Sequence, residues 1–217
     1  MWLRRFIEGV ARGLVAAATL SAAALALAGC VSVPKPATAD ATPGAAGEVR
    51  EVPAKAQTLY EQAVTAMAAG ELLDAQLRFE EFLLQFPDFP GAHVNLAIIS
   101  ARNGDDKGAE DAIVNALMID PEYPPALNQL GMLLRRKGEF QNAETAYLKA
   151  VTADPGYALA HYNLAVLNEL YLQRLDAALQ HFERYQALSG EDEQVTKWIA
   201  DLKRRIASTQ RTANVTE

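Results

Sequence analysis

The chain has 217 residues, 27 acidic against 20 basic side chains for a net charge of −7, a single cysteine, and a composition 50% hydrophobic but only 7% aromatic. Such a length holds one domain or two small ones, and the acidic balance excludes a nucleic-acid binder that neutralises phosphates with clustered Lys and Arg. One cysteine excludes an internal disulfide or a thiolate metal cluster, and an apolar half excludes an intrinsically disordered chain.

Residues 1–12 carry Arg4, Arg5 and Arg12 against Glu8, and residues 13–28 carry no charge. A basic start, an apolar run shorter than the roughly 20 residues that span a bilayer, and small residues at its end read as an export signal over 1–29. That end, Leu27-Ala28-Gly29-Cys30, holds the one cysteine and resembles the lipobox of bacterial lipoproteins. The resemblance implies cleavage before Cys30 and a covalent lipid, palmitate among its acyl chains, on that residue. Two or three acyl chains anchor a protein permanently where one binds only marginally. Ala26-Leu27-Ala28 also satisfies the small-x-small rule of ordinary signal peptidase, which would release a soluble periplasmic protein. Val31 stands where lipoproteins retained in the inner membrane usually carry Asp, so the resemblance implies the periplasmic face of the outer membrane. Residues 31–54 are rich in Pro, Ala, Thr and Gly without apolar periodicity, so 30–54 reads as a lipidated N-terminus and flexible linker.

The rest of the chain repeats itself at one interval, about 34 residues, a period in the range of stacked repeat arrays. Four markers keep it: Pro87, Pro121 and Pro155; Gly70, Gly104 and Gly138; Ala75, Ala109 and Ala143; Phe89, Tyr123 and Tyr157. Between these markers the apolar residues fall at helical spacing, as in Leu127, Leu130, Gly131 and Leu134, so each unit is two helices turned at the glycine and stopped at the proline. Small residues where the helices cross let the axes approach to about 8 Å.

This pattern resembles the tetratricopeptide repeat. Leu127, Leu130, Gly131, Leu134, Ala143, Tyr147, Ala150 and Pro155 occupy the family's marker positions in the third unit, and His93, Leu96, Ala97, Ala109, Ile113, Ala116 and Pro121 in the second. The first unit departs at Gln62 and Phe82, and the fourth gains a residue near Leu172. The resemblance implies an all-α, right-handed superhelical solenoid with four units over residues 55–189, at about 56–89, 90–123, 124–157 and 158–190. After Gly190, Val195, Trp198, Ile199, Leu202 and Ile206 form a helical apolar stripe with acids at its start and bases near its end, which predicts a capping helix over 191–208. Residues 209–217 read as a frayed tail.

Catalytic chemistry is absent from the motifs: there is no G-x-S-x-G elbow, phosphate-cradling glycine loop or His-Glu-x-x-His zinc helix, so we expect no enzyme, cofactor or metal site. His93 and His161 lie two periods apart, hold the same place in alternate units and read as packing residues, whereas His181 reads as isolated on a partly exposed helix face. Asn95 and Asn163 read as structural and Asn128 as the better groove asparagine. Arg135-Arg136-Lys137 closes a helix before Gly138, where cations are favoured, with an acidic partner contact as the second reading.

The family geometry implies a concave groove lined by the first helix of each unit: Tyr60, Val64 and Met67; Val94, Ile98 and Arg102; Asn128, Met132 and Arg135; Tyr162, Val166 and Glu169. The lysines of the family's carboxylate clamp are missing from these places. A largely apolar lining with aromatic, Met and Arg residues suits an amphipathic helix or extended peptide. The expected function is a non-enzymatic, lipid-anchored adaptor that binds a protein partner, with assembly of an envelope complex such as a type IV pilus or secretion system as the first reading. Service to peptidoglycan enzymes, proteases or a proton-driven motor is the alternative.

Overall fold

The computed structural model describes residues 53–215, with side chains to residue 211; the export signal, Cys30 and the linker up to residue 52 lie outside the described residues. Among the described residues there are nine α-helices and no strand: α1 Ala54–Ala69, α2 Leu72–Gln85, α3 Pro90–Arg102, α4 Asp106–Ile119, α5 Pro124–Arg136, α6 Phe140–Ala153, α7 Ala158–Leu170, α8 Leu175–Ser189 and α9 Glu193–Val215. No described helix is long and apolar enough to cross a membrane.

The helices pack as four pairs, α1 on α2 through α7 on α8, and each pair stacks on the next. The first helices also touch one another, α3 on α5 and α5 on α7, so they form a crowded inner layer and the second helices a splayed outer one. This is the solenoid that the sequence period predicts.

Each turn is closed by backbone that only glycine adopts freely: Gly70, Gly104 and Gly138 have φ of 83°, 78° and 80°. In the fourth unit the extra residue moves this duty to Gln173, whose φ is 54°. The second helices of the first three units end just before Pro87, Pro121 and Pro155, while Pro90 and Pro124 open α3 and α5, where a missing N–H costs nothing.

Alanine fills the crossing in units one, two and four, with Ala63, Ala97 and Ala165 buried against the large residues of the partner helix. The third unit has Gly131 there because Tyr147 lies across it: a Cβ on Gly131 would sit 2.5 Å from the ring. Tyr147, Phe79 and Phe182 are among the largest fully buried side chains.

At the C-terminal end α9 lies on α8 and covers the fourth unit with Val195, Ile199 and Leu202. Trp198 meets Phe182 at 5.5 Å and Tyr162 at 6.2 Å between ring centroids. The helix starts where a fifth unit would, since Asp192 follows Ala158 by one period, and the Asp192 carboxylate accepts from the backbone N–H of Gln194 and Val195. The expected helix end at 208 is corrected, because α9 continues to Val215; the last two residues of the expected frayed tail, 216 and 217, lie outside the described residues. Lys197, Lys203 and Arg204 stay exposed on its outer side, the polar surface that a terminal cap presents to water.

Candidate functional site

The inner layer brings the twelve expected groove residues onto one set of helices, α1, α3, α5 and α7, but not all of them into an open groove. Val94 and Val166 are buried between units, at 6% and 2% exposure, and Asn128 at 1%. Asn128 is therefore corrected from a groove residue to a buried one. Its Oδ1 accepts from Asn163 Nδ2 at 2.9 Å, and its own Nδ2 points at the Met132 sulfur 3.9 Å away. Asn95 does the same for the first pair of units, donating to the Tyr60 hydroxyl at 2.8 Å. The asparagine one place after the groove position thus reaches back to the preceding unit. The equal spacing of hydrogen-bonding residues, Tyr60 to Asn95 and Asn128 to Asn163, was the signal in the sequence.

Tyr60 is half-buried and packs edge-on against Phe79, Phe82 and Phe89, with ring centroids 5.1 to 5.5 Å apart. Burial pushes its phenol up to about 12, Tyr123 adds to this, and the Asn95 bond opposes it. Val64 and Met67 pack on the same cluster. At the other end Tyr162 packs edge-on against Phe182 and tilted against Tyr185 and Trp198, and Glu169 accepts from Arg205 Nη1 of α9 at 2.7 Å. Unit four therefore commits its groove residues to the cap.

Of the twelve, only Arg102, in the middle of the layer, is exposed; Ile98, Met132 and Arg135 beside it are half-buried, as Val64 and Met67 are in the first unit. Arg102 lies one turn after Ile98 on α3 and has no ion pair among the described residues; partial desolvation lowers the pKa of its guanidinium. Arg135 lies close enough to Tyr147 and Tyr162 to favour their ionised forms, although burial dominates and keeps both phenols raised. The remaining members of the basic run point elsewhere and tie unit three to unit two: Arg136 Nη2 pairs with Asp106, and Lys137 Nζ meets Glu110 at 2.8 Å. Arg174 and Glu144, 2.6 Å apart, repeat the link between units four and three.

His161 Nε2 donates to the Pro155 carbonyl at 3.3 Å, and His93 bonds the carbonyl of Pro87, so both hook onto the proline that ends the preceding unit. The reading of His181 as isolated is corrected: with Nε2 of His161 carrying the proton, its Nδ1 accepts from His181 Nδ1 at 3.0 Å. Burial holds both rings below their ordinary range, His181 at about 4 with His161 adding to the effect. Among the described residues no group of three or more His, Cys, Asp and Glu side chains could hold a metal ion.

The repeat geometry agrees with comparisons to known proteins. The family profile described as tetratricopeptide repeat matches residues 60–125 and 128–193. A structure from the functional characterization of Pseudomonas aeruginosa pilF is similar over 70% of this chain and 69% of its own, at 21% identity and a TM-score of 0.63. The tetratricopeptide protein TTC0263 of Thermus thermophilus matches 70% of this chain and 83% of its own, at 22% identity and a TM-score of 0.60. The first repeat domain of Spaghetti (RPAP3), bound to the HSP90 peptide SRMEEVD, matches 54% of this chain and 95% of its own, at 19% identity and a TM-score of 0.51. No curated protein sequence matches. With more than half of its residues covered by the profile and the same helix pair recurring at the predicted interval, the chain belongs to the tetratricopeptide repeat family, a fold of protein-interaction adaptors and scaffolds.

Proposed function

We propose that this chain is a non-enzymatic adaptor, anchored by lipid on Cys30 at the periplasmic face of the outer membrane, that holds a peptide or amphipathic helix of a protein partner in the middle of its concave face. The process we assign is assembly of an envelope complex such as a type IV pilus or secretion system. The observation that carries the binding role is Arg102, an exposed cation without an ion pair among the described residues, one turn from the half-buried Ile98 on a first helix that touches the one carrying Met132. A peptide carboxylate or a helix C-terminus supplies what Arg102 lacks, and apolar side chains of the same peptide cover Ile98 and Met132. The peptide-bound Spaghetti repeat domain supports a peptide-binding reading of the fold. The lipobox resemblance of Leu27-Ala28-Gly29-Cys30 supports the anchor.

Two experiments test the reading. Arg102→Glu, at an exposed side chain, should cut recovery of the partner from membrane extracts by at least about tenfold with the thermal midpoint nearly unchanged, and full recovery would refute the groove. Cys30→Ser should release the protein from the membrane fraction; a variant still processed and still membrane-bound would refute the anchor.

A further inference from the structure

The outer layer carries an apolar band that the fold leaves uncovered. On α2, Leu73, Leu77 and Leu84 are 72%, 56% and 86% exposed, and their spacing places them on one face of the helix. The band continues onto Val114 and Met118 of α4, the latter 76% exposed, and onto Leu148 of α6. Leu84 and Met118 hold the same place in successive units, as do Val114 and Leu148, so the residues form rungs across the second helices. Beside them, between α4 and α6, a groove of about 240 Å³ is floored by Leu127, Leu130 and Leu134 of α5 and rimmed by Lys149.

We propose that this band is a dimerisation surface on which two copies of the chain meet about a two-fold axis, α2 of each copy lying in the groove between α4 and α6 of the other. Area decides between this and a simpler contact. The three leucines of α2 expose about 390 Å² per copy, so α2 packed on α2 would bury about 780 Å² of apolar surface, the size of an adventitious contact. Adding Val114, Met118 and Leu148 brings the apolar area from two copies to about 1,350 Å², within the range of specific interfaces. The two-fold arrangement uses all of it, because stripe and groove lie on the same layer and each copy offers both. Charge agrees with the register. Glu80 interrupts the stripe between Leu77 and Leu84 and is bonded only to the neutral Gln76 among the described residues, so the two-fold register sets a cation opposite it. Lys149 on the groove rim is exposed with no ion pair among the described residues. The concave face stays open in such a dimer, so the surface is independent of the partner groove.

The test is the mass of the full chain, solubilised in detergent, by light scattering with the detergent contribution subtracted. The wild type should be dimeric at about 100 μM. Leu77→Lys or Met118→Glu, at side chains that contribute nothing to the monomer's core, should weaken association about tenfold or more without lowering the thermal midpoint. Glu80→Lys and Lys149→Glu should each weaken it, and the double exchange in one chain should restore it, since the two-fold axis sets each swapped residue against the other. A wild type that stays monomeric would overturn the proposal, as would a dimer indifferent to Leu77→Lys and Met118→Glu. Failure of the double exchange to recover association would overturn the register, and with it the groove as the seat of α2.

Discussion

Gly131 and Tyr147 form a matched pair, since the built Cβ lies 2.5 Å from the Tyr147 ring and the ring is fully buried with no room to retreat. Gly131→Ala should therefore cost about 1 to 3 kcal/mol in urea unfolding, despite alanine being the better helix former. Adding Tyr147→Leu should recover part of the loss; an unchanged midpoint for the single variant would contradict the packing. The histidine pair makes a second expectation at this scale. His181 is held neutral, with a pKa of about 4 against an ordinary 6.5, so the unfolded chain binds more protons than the fold between these values. Stability from the pair is complete above about pH 6.5 and is lost as pH falls toward 4. The thermal midpoint should fall on going from pH 7 to pH 5, and His181→Gln should flatten that slope while leaving Arg184 and Asp154, the charges nearest the pair, in place. The sequence showed the equivalence of His93 and His161 through their shared period, but not the contact with His181. That contact depends on how α8 rotates against α7 after the extra residue of the fourth turn.

Among the elements, the turns and the cap were the most legible, because glycine, proline and a helical apolar stripe act locally. The extra residue near Leu172 was visible as a break in the period, and its consequence is Gln173 in left-handed backbone. Gln173→Gly should remove about 1 to 2 kcal/mol of backbone cost, offset in part by the greater freedom of glycine when unfolded, about 0.4 to 1 kcal/mol. A net rise in stability by chemical unfolding is the expected result, and a loss would mean that the glutamine side chain holds the turn. The sequence does not mark the end of α9, because the polar stretch 208–215 offers no periodic signal, while no Gly or Pro in it stops the backbone bonds. Trp198→Ala should cost about 2 to 3 kcal/mol by opening the contact with Phe182 and Tyr162. In a stacked array the damage should be local, so hydrogen exchange should accelerate in α8 and α9 well before α1 to α4. Uniform acceleration would show the solenoid to be more cooperative than its nearest-neighbour contacts imply.

Taken as a whole molecule, the chain divides its surface by layer. The first helices hold the units together through Asn95, Asn163 and the buried valines, and Arg102 is the exposed side chain among the expected groove positions. The fold was readable from four markers that recur through the first three units, because stacking demands the same small and large residues each time. The site was readable only as a set of helix positions. Whether a side chain at such a position is open depends on its neighbour one repeat away, and Tyr60, Asn128 and Tyr162 are taken up by their surroundings. The exposed leucines of α2 were invisible for the converse reason, since apolar residues at helical spacing read as core until the partner face is known to be missing. The central claim, that the middle of the concave face holds a protein partner, is tested most directly by photo-crosslinking in cells. A photoreactive amino acid replaces Arg102 or Ile98 on the concave face, and Leu77 on the outer one, each in the full chain. The concave positions should yield a shared adduct with a different protein, lost when Met132→Glu is added, while position 77 yields a self-adduct. Concave positions that give no adduct, or only the self-adduct seen from position 77, would contradict the claim.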